Sequence, residues 1–110
     1  MGKKLIIIFQ KCLFISLISM LIFQNVEADE IFDEGKKIFL EKGNCAMCHT
    51  LVDAGANGSI GPNLNEVKPD MMRVVNAVTN GIGVMPAFQG ILTETEIEAV
   101  ATYVSKTSDQ

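Results

Sequence analysis

Gly43-Asn44-Cys45-Ala46-Met47-Cys48-His49 ends one amphipathic run and opens a long irregular stretch. Two thiols three residues apart can each add across a vinyl group of a haem, forming two thioether bonds. The histidine directly after the second cysteine then points an imidazole nitrogen at the iron. For that reason C-x-x-C-H is a haem-attachment signal. Two other chemistries use paired cysteines. Zinc wants four nitrogen or sulfur ligands, usually from two such pairs, whereas here no second pair follows and His49 is the only histidine of the chain. A thioredoxin-like dithiol belongs beside a βαβ pattern, and no strand alternation is visible. Haem is the favoured reading, with zinc and a dithiol pair as the alternatives.

Outward from this motif the chain reads as all-α. Residues 30–42 carry Ile31, Phe32, Ile38 and Phe39 with charges between them, and Gly43-Asn44 ends the run. Gly55, Gly58 and Gly61-Pro62 punctuate a stretch without helical period, so 50–67 is expected to be mostly loop, and Asp53–Ser59 a surface loop. Pro69 and Asp70 open a second helix on which Met71, Val74, Val75 and Val78 recur at helical spacing, and Asn80-Gly81 stops it. After a further loop, Thr93-Glu94-Thr95-Glu96 has the Thr-x-x-Glu form of a capping box. Behind it Ile97, Val100, Ala101 and Val104 fall at i, i+3, i+4 and i+7.

The first 28 residues have the order of a secretory signal. Lys3, Lys4 and Lys11 form a positive leader, Cys12 to Phe23 is apolar apart from Ser16 and Ser19, and Val26-Glu27-Ala28 places small residues where a signal peptidase reads. An uncleaved membrane anchor is the alternative, although a spanning helix wants about 20 apolar residues and Gln10 and Lys11 shorten the clean run. Cys12 opens the apolar run, whereas an acylated cysteine should follow it. Cleavage after Ala28 leaves residues 29–110 as one domain of 82 residues, with six basic side chains against twelve acidic ones and a net charge near −6. Nucleic acid is an unsuitable partner for such a surface. A domain this short buries little apolar area unaided, so a covalent or cofactor staple is expected. Only Cys45 and Cys48 survive cleavage to provide one.

Taken together, residues 30–106 resemble the class I c-type cytochromes, single-haem electron carriers with histidine and methionine on the iron. Gly35 and Phe39 are similar to the family's glycine/aromatic pair in the first helix, and Val100 and Tyr103 to its partner pair in the last. The resemblance implies a small cytochrome c fold: three or more helices wrapped around one covalently bound haem c, with the N- and C-terminal helices crossed. Ile60-Gly61-Pro62-Asn63-Leu64 resembles the loop whose proline carbonyl holds the proximal histidine, which implies a hydrogen bond from the second ring N–H of His49 to Pro62. The absence of tryptophan departs from many relatives and leaves the haem propionates without an assigned partner. Arg73 is a possible donor, though a lone arginine on a helix is more often solvated.

The sixth iron ligand is expected to be Met85. Met47 lies inside the attachment loop, and Met71 and Met72 open a helix, where methionine is usually core filler. Met85 lies between Gly81-x-Gly83 and Pro86, and Asn80 to Phe88 resembles the family's methionine-ligand loop. Together these features imply a monomeric, exported carrier of single electrons and not an enzyme. Its expected donors are a dehydrogenase or a quinol-oxidising complex, its acceptors an oxidase or reductase, in the periplasm. Membrane contact would come only through partners or an uncleaved leader. The competing function is a dedicated haem c subunit of one exported dehydrogenase.

Overall fold

The computed structural model describes residues 2–110, apart from the side chains of residues 17–26. The expected apolar run Cys12–Phe23 and the Val26 position of the cleavage site therefore lie partly outside the described residues. The chain divides into two compact units, Met1–Glu30 and Ile31–Gln110. Helix α1 spans Gly2–Leu40 and supplies all the regular structure of the first unit. Among the described residues, no helix is long and apolar enough to cross a membrane.

In the second unit, α1 stops at Leu40, earlier than residue 42. The Glu41 N–H bonds to the Lys37 carbonyl at 2.8 Å, and the Gly43 N–H reaches back to the Ile38 carbonyl, also at 2.8 Å. That wider return satisfies the last carbonyls and turns the chain away from the helix. Next come a tight turn at Cys45–Met47, strands β1 (Thr50–Leu51) and β2 (Ala56–Asn57), and helices α2 (Leu64–Val67), α3 (Met71–Asn80) and α4 (Glu94–Thr107). The strands pair antiparallel, with Thr50 opposite Asn57 and Leu51 opposite Ala56. This hairpin and α2 are additions to the stretch expected to be mostly loop. Both are too short to leave a periodic signal, and the fold remains all-α.

Helices α3 and α4 begin where their caps place them. The Asp70 carboxylate accepts from the Arg73 N–H at 2.9 Å. Thr93 and Glu96 form the reciprocal box, with Thr93 N–H to Glu96 Oε2 at 2.8 Å and Glu96 N–H to Thr93 Oγ1 at 3.2 Å. Each such cap is worth about 1 kcal/mol. Glu96 also holds Lys42 at 2.6 Å, fastening the chain just after α1 to the start of α4.

The core centres on the crossing of α1 and α4. A side chain at Gly35 would collide with the Ala99 carbonyl and come within 2.7 Å of Tyr103 Cβ, so only glycine lets the two backbones approach this closely. Tyr103 is fully buried there, with Phe32 and Phe39 packed edge-on at ring-centroid separations of 5.2 and 5.9 Å. Such aromatic pairs add about 0.5–1.5 kcal/mol each beyond the area they bury. Ile38, Leu51, Val74, Val78, Leu92, Ile97, Val100, Ala101 and Val104 complete the core. Ile31, expected on the apolar face of α1, is exposed. The crossing uses Ala99 and Phe32 as well as Gly35, Phe39 and Tyr103 of the set that the resemblance implies, and Val100, the fourth of that set, is buried in the core.

Candidate functional site

The attachment motif is presented on a turn whose geometry begins one residue earlier. Asn44 takes a left-handed conformation (φ 50°), one of the few non-glycine residues that does so at modest cost. The Cys45 carbonyl then accepts from the N–H groups of both Cys48 (3.1 Å) and His49 (3.0 Å), which folds the two thiols and the imidazole onto one short loop. Both cysteines are free thiols and partly buried. Burial pushes the Cys45 thiol up to about 11, with the nearby Cys48 adding to the shift and a backbone hydrogen bond partly offsetting it.

A second segment, residues 58–62, returns against this turn. The Gly61 N–H donates to the Cys48 carbonyl at 2.7 Å, and His49 Nδ1 lies 2.8 Å from the Pro62 carbonyl. A carbonyl can only accept, so Nδ1 carries the proton and the lone pair of the neutral ring is on Nε2. Gly61 presses on the ring itself, because an added Cβ would lie 2.6 Å from His49 Cε1 and 2.9 Å from Nδ1. Gly58 lies equally close to the motif's backbone, its would-be Cβ 2.5 Å from the Cys48 carbonyl carbon and 2.6 Å from the His49 nitrogen. The sequence marks these glycines only as loop formers. What requires them is space beside the histidine.

Met85 sits on a different loop, held between α3 and α4. Gly81 (φ 71°) and Gly83 (φ 56°) turn the backbone through conformations that favour glycine. Ile82 and Met85 exchange hydrogen bonds at 3.2 and 2.9 Å, and the Phe88 N–H ties the loop to the Val78 carbonyl at 2.8 Å. Met85 is partly buried and packs on the core together with Leu64, Val75 and Phe88. Met71 and Met72 are exposed on α3, and Met47, at 62 % exposure, stands out from the attachment turn. Arg73 is exposed beside a shallow cleft lined by Asp70, Met72, Asn76, Asn80 and Ile82. The structure thus brings Cys45, Cys48, His49 and Pro62 into one group. Met85 comes from a separate loop that packs, like Cys45 and Ala46, on the same core.

The turn between the strands carries a contact that the sequence does not announce. Tyr103 Oη donates to Asp53 Oδ2 at 2.6 Å, and Lys36 Nζ reaches the same oxygen and the Asp53 carbonyl at 3.1 Å each. The tyrosine hydrogen bond, then that of the lysine, hold the Asp53 carboxyl below its ordinary value. Burial, with Asp53 adding to it, pushes the Tyr103 hydroxyl well above its own. The Asp53–Ser59 stretch is therefore more than a surface loop, since it locks the hairpin to both crossing helices and buries Ala56.

Comparison with known proteins gives these features a family. A model described as cytochrome c oxidase, cbb3-type, subunit III matches residues 30–104. The cytochrome c6 of Pyropia yezoensis is 34% identical over 119 residues, covering 100% of this chain and 98% of its own. The cytochrome c6 of Porphyra purpurea is 35% identical over 97 residues, covering 80% and 82% respectively. The crystal structure of the c-type cytochrome SorU from Sinorhizobium meliloti superposes with a TM-score of 0.69 at 57% identity, covering 73% of this chain and 93% of that one. The chain belongs to the class I c-type cytochromes. It carries one covalently bound haem c and transfers electrons.

The residues of this cytochrome suit the group its family implies. Two unbridged thiols share a turn with an imidazole whose Nδ1 is engaged by Pro62, which leaves Nε2 as the donor atom. A methionine thioether is offered by a separately anchored loop. This donor set is the one that covalent haem with histidine and methionine axial ligands requires.

Proposed function

We propose that Cys45 and Cys48 hold the haem of this cytochrome, that His49 Nε2 and Met85 Sδ are its axial ligands, and that Pro62 fixes the histidine. The observation that carries this reading is the 2.8 Å contact between His49 Nδ1 and the Pro62 carbonyl, an outer hydrogen bond that sets the tautomer and orientation of a metal-bound imidazole. When bound, the haem supplies a one-electron ferric/ferrous couple. Met85 favours the reduced form, because a thioether is a softer donor than a second imidazole. With His49 and Met85 both on the iron, no position would be left for a substrate, which argues for a carrier over an enzyme.

The wider role follows from the leader and the surface. Residues 1–28 act as a cleaved secretory signal, and residues 29–110 work as a soluble monomer in the periplasm. This domain passes electrons from a dehydrogenase or quinol-oxidising complex to an oxidase or reductase. The test is the intact mass and native size of the protein recovered from an exporting host. A chain beginning at Asp29, one haem heavier than its sequence and running alone, supports the carrier. Stable co-elution with a dehydrogenase would replace it with the bound-subunit reading, and a retained leader would replace cleavage with a membrane tether.

A further inference from the structure

The hydrogen bond between His49 and Pro62 depends on where the return loop 58–62 sits, and that loop is pinned at two points. One pin is the Gly61 N–H on the Cys48 carbonyl at 2.7 Å. The other is a side chain: Thr50, the residue directly after the histidine, donates its hydroxyl to the Gly58 carbonyl at 2.9 Å. Thr50 also heads β1 and pairs with Asn57, so its backbone and hydroxyl grip two successive residues of the returning chain. At Gly58 the missing side chain allows the close approach that this grip needs, since the nearest atoms to a Cβ there are all backbone, of Cys48, His49 and Ala46. Gly58 needs no left-handed conformation, unlike Gly55. Its requirement is purely one of distance.

We infer that Thr50 is a positioning residue for the proximal histidine: its hydroxyl, through Gly58, sets the height of the Pro62 carbonyl and so the strength of the Nδ1–H hydrogen bond. The inference rests on His49 being the iron ligand. A stronger bond from Nδ1–H gives the ring more imidazolate character and makes Nε2 a better donor. A better donor stabilises ferric iron and lowers the reduction potential. Thr50 therefore acts on the potential without touching the iron or the imidazole. Thr50→Val removes the hydroxyl while keeping the β-branched shape that suits a strand. Gly58 and its hydrogen bond to Thr50 are only partly buried, so water can take over the carbonyl's lone pairs and the hairpin survives.

The test uses the mature holoprotein and two measurements: reduction potential, and the solvent-exchange rate of the His49 Nδ1 proton by NMR in the reduced state. Thr50→Val is expected to raise the potential and speed the exchange on the order of fivefold, the factor that one weakened hydrogen bond supplies. Thr50→Ser restores the hydroxyl and is expected to return both values to those of the wild type. Gly58→Ala, which must push the return loop off the motif, shifts both in the same direction as Thr50→Val. A Thr50→Val protein whose exchange rate and potential are unchanged overturns the inference, even if its melting temperature falls. Failure of the ligand assignment reads out separately, as a wild-type protein whose His49 resonances lack the large shifts of an iron-bound ring.

Discussion

At the scale of single residues, His49 is held by what its neighbours lack as much as by what they offer. Gly61 needs no unusual backbone angle, yet a methyl group there would lie 2.6 Å from the imidazole. Gly61→Ala therefore has to displace either the ring or the Pro62 carbonyl. The expected cost is about 1–3 kcal/mol, as for other overpacked sites, read as a lower denaturation midpoint of the holoprotein. An unchanged midpoint would mean that the ring and loop are less closely fitted than the structure shows. The motif Cys45-x-x-Cys48-His49 and the glycine-proline pair were legible in the sequence because each residue type has a distinct chemistry. Thr50 and Gly58 were not, because a hydroxyl eight residues from a carbonyl leaves no pattern.

At the scale of elements, the three longer helices were legible, whereas α2 and the hairpin were not. The period of Ile97, Val100, Ala101 and Val104 and the Thr93–Glu96 box define α4 in the sequence, and all four of those apolar residues are buried. Two-residue strands cannot display alternation, and the Tyr103–Asp53 contact joins residues 50 apart in the chain. That contact gives the hairpin a pH dependence with two limbs. Asp53 titrates lower in the folded state than its ordinary value of about 3.9, so its contribution is present above that pH and is lost as pH falls below it. Tyr103 titrates higher when folded than its ordinary value of about 10, so its contribution is present below that pH and is lost as pH rises above it. Asp53→Asn should flatten the acid limb, measured as a smaller fall in melting temperature between neutral pH and pH about 3. If the wild type and Asp53→Asn lose the same amount over that range, the carboxylate contributes nothing to acid stability.

At the scale of the whole molecule, the compact unit Ile31–Gln110 is too short to bury a large apolar core without help. Leu64, Val75, Met85 and Phe88 pack on the core yet are only partly buried. A covalently held haem would supply apolar area to such a domain and shorten the list of conformations open to its unfolded chain. The double substitution Cys45→Ala, Cys48→Ala should accordingly leave a largely disordered chain, seen as the loss of helical circular dichroism. Either single substitution should weaken haem retention more than it weakens helicity. A haem-free double mutant with full helical signal would show that the α1–α4 crossing alone sustains the fold.

Met85 is the one proposed ligand contributed by a segment other than the attachment motif, held on its own loop between α3 and α4. The measurement is the visible spectrum of the oxidised holoprotein and of Met85→Ala, with Met71→Leu and Met72→Leu as controls that keep apolar volume and should cost little stability. The wild type should show the weak charge-transfer band of an iron–thioether bond, and both controls should keep it. Met85→Ala should lose the band and open the iron to added ligands, while the haem stays attached through Cys45 and Cys48. A band that survives Met85→Ala and vanishes in Met71→Leu or Met72→Leu would contradict the assignment.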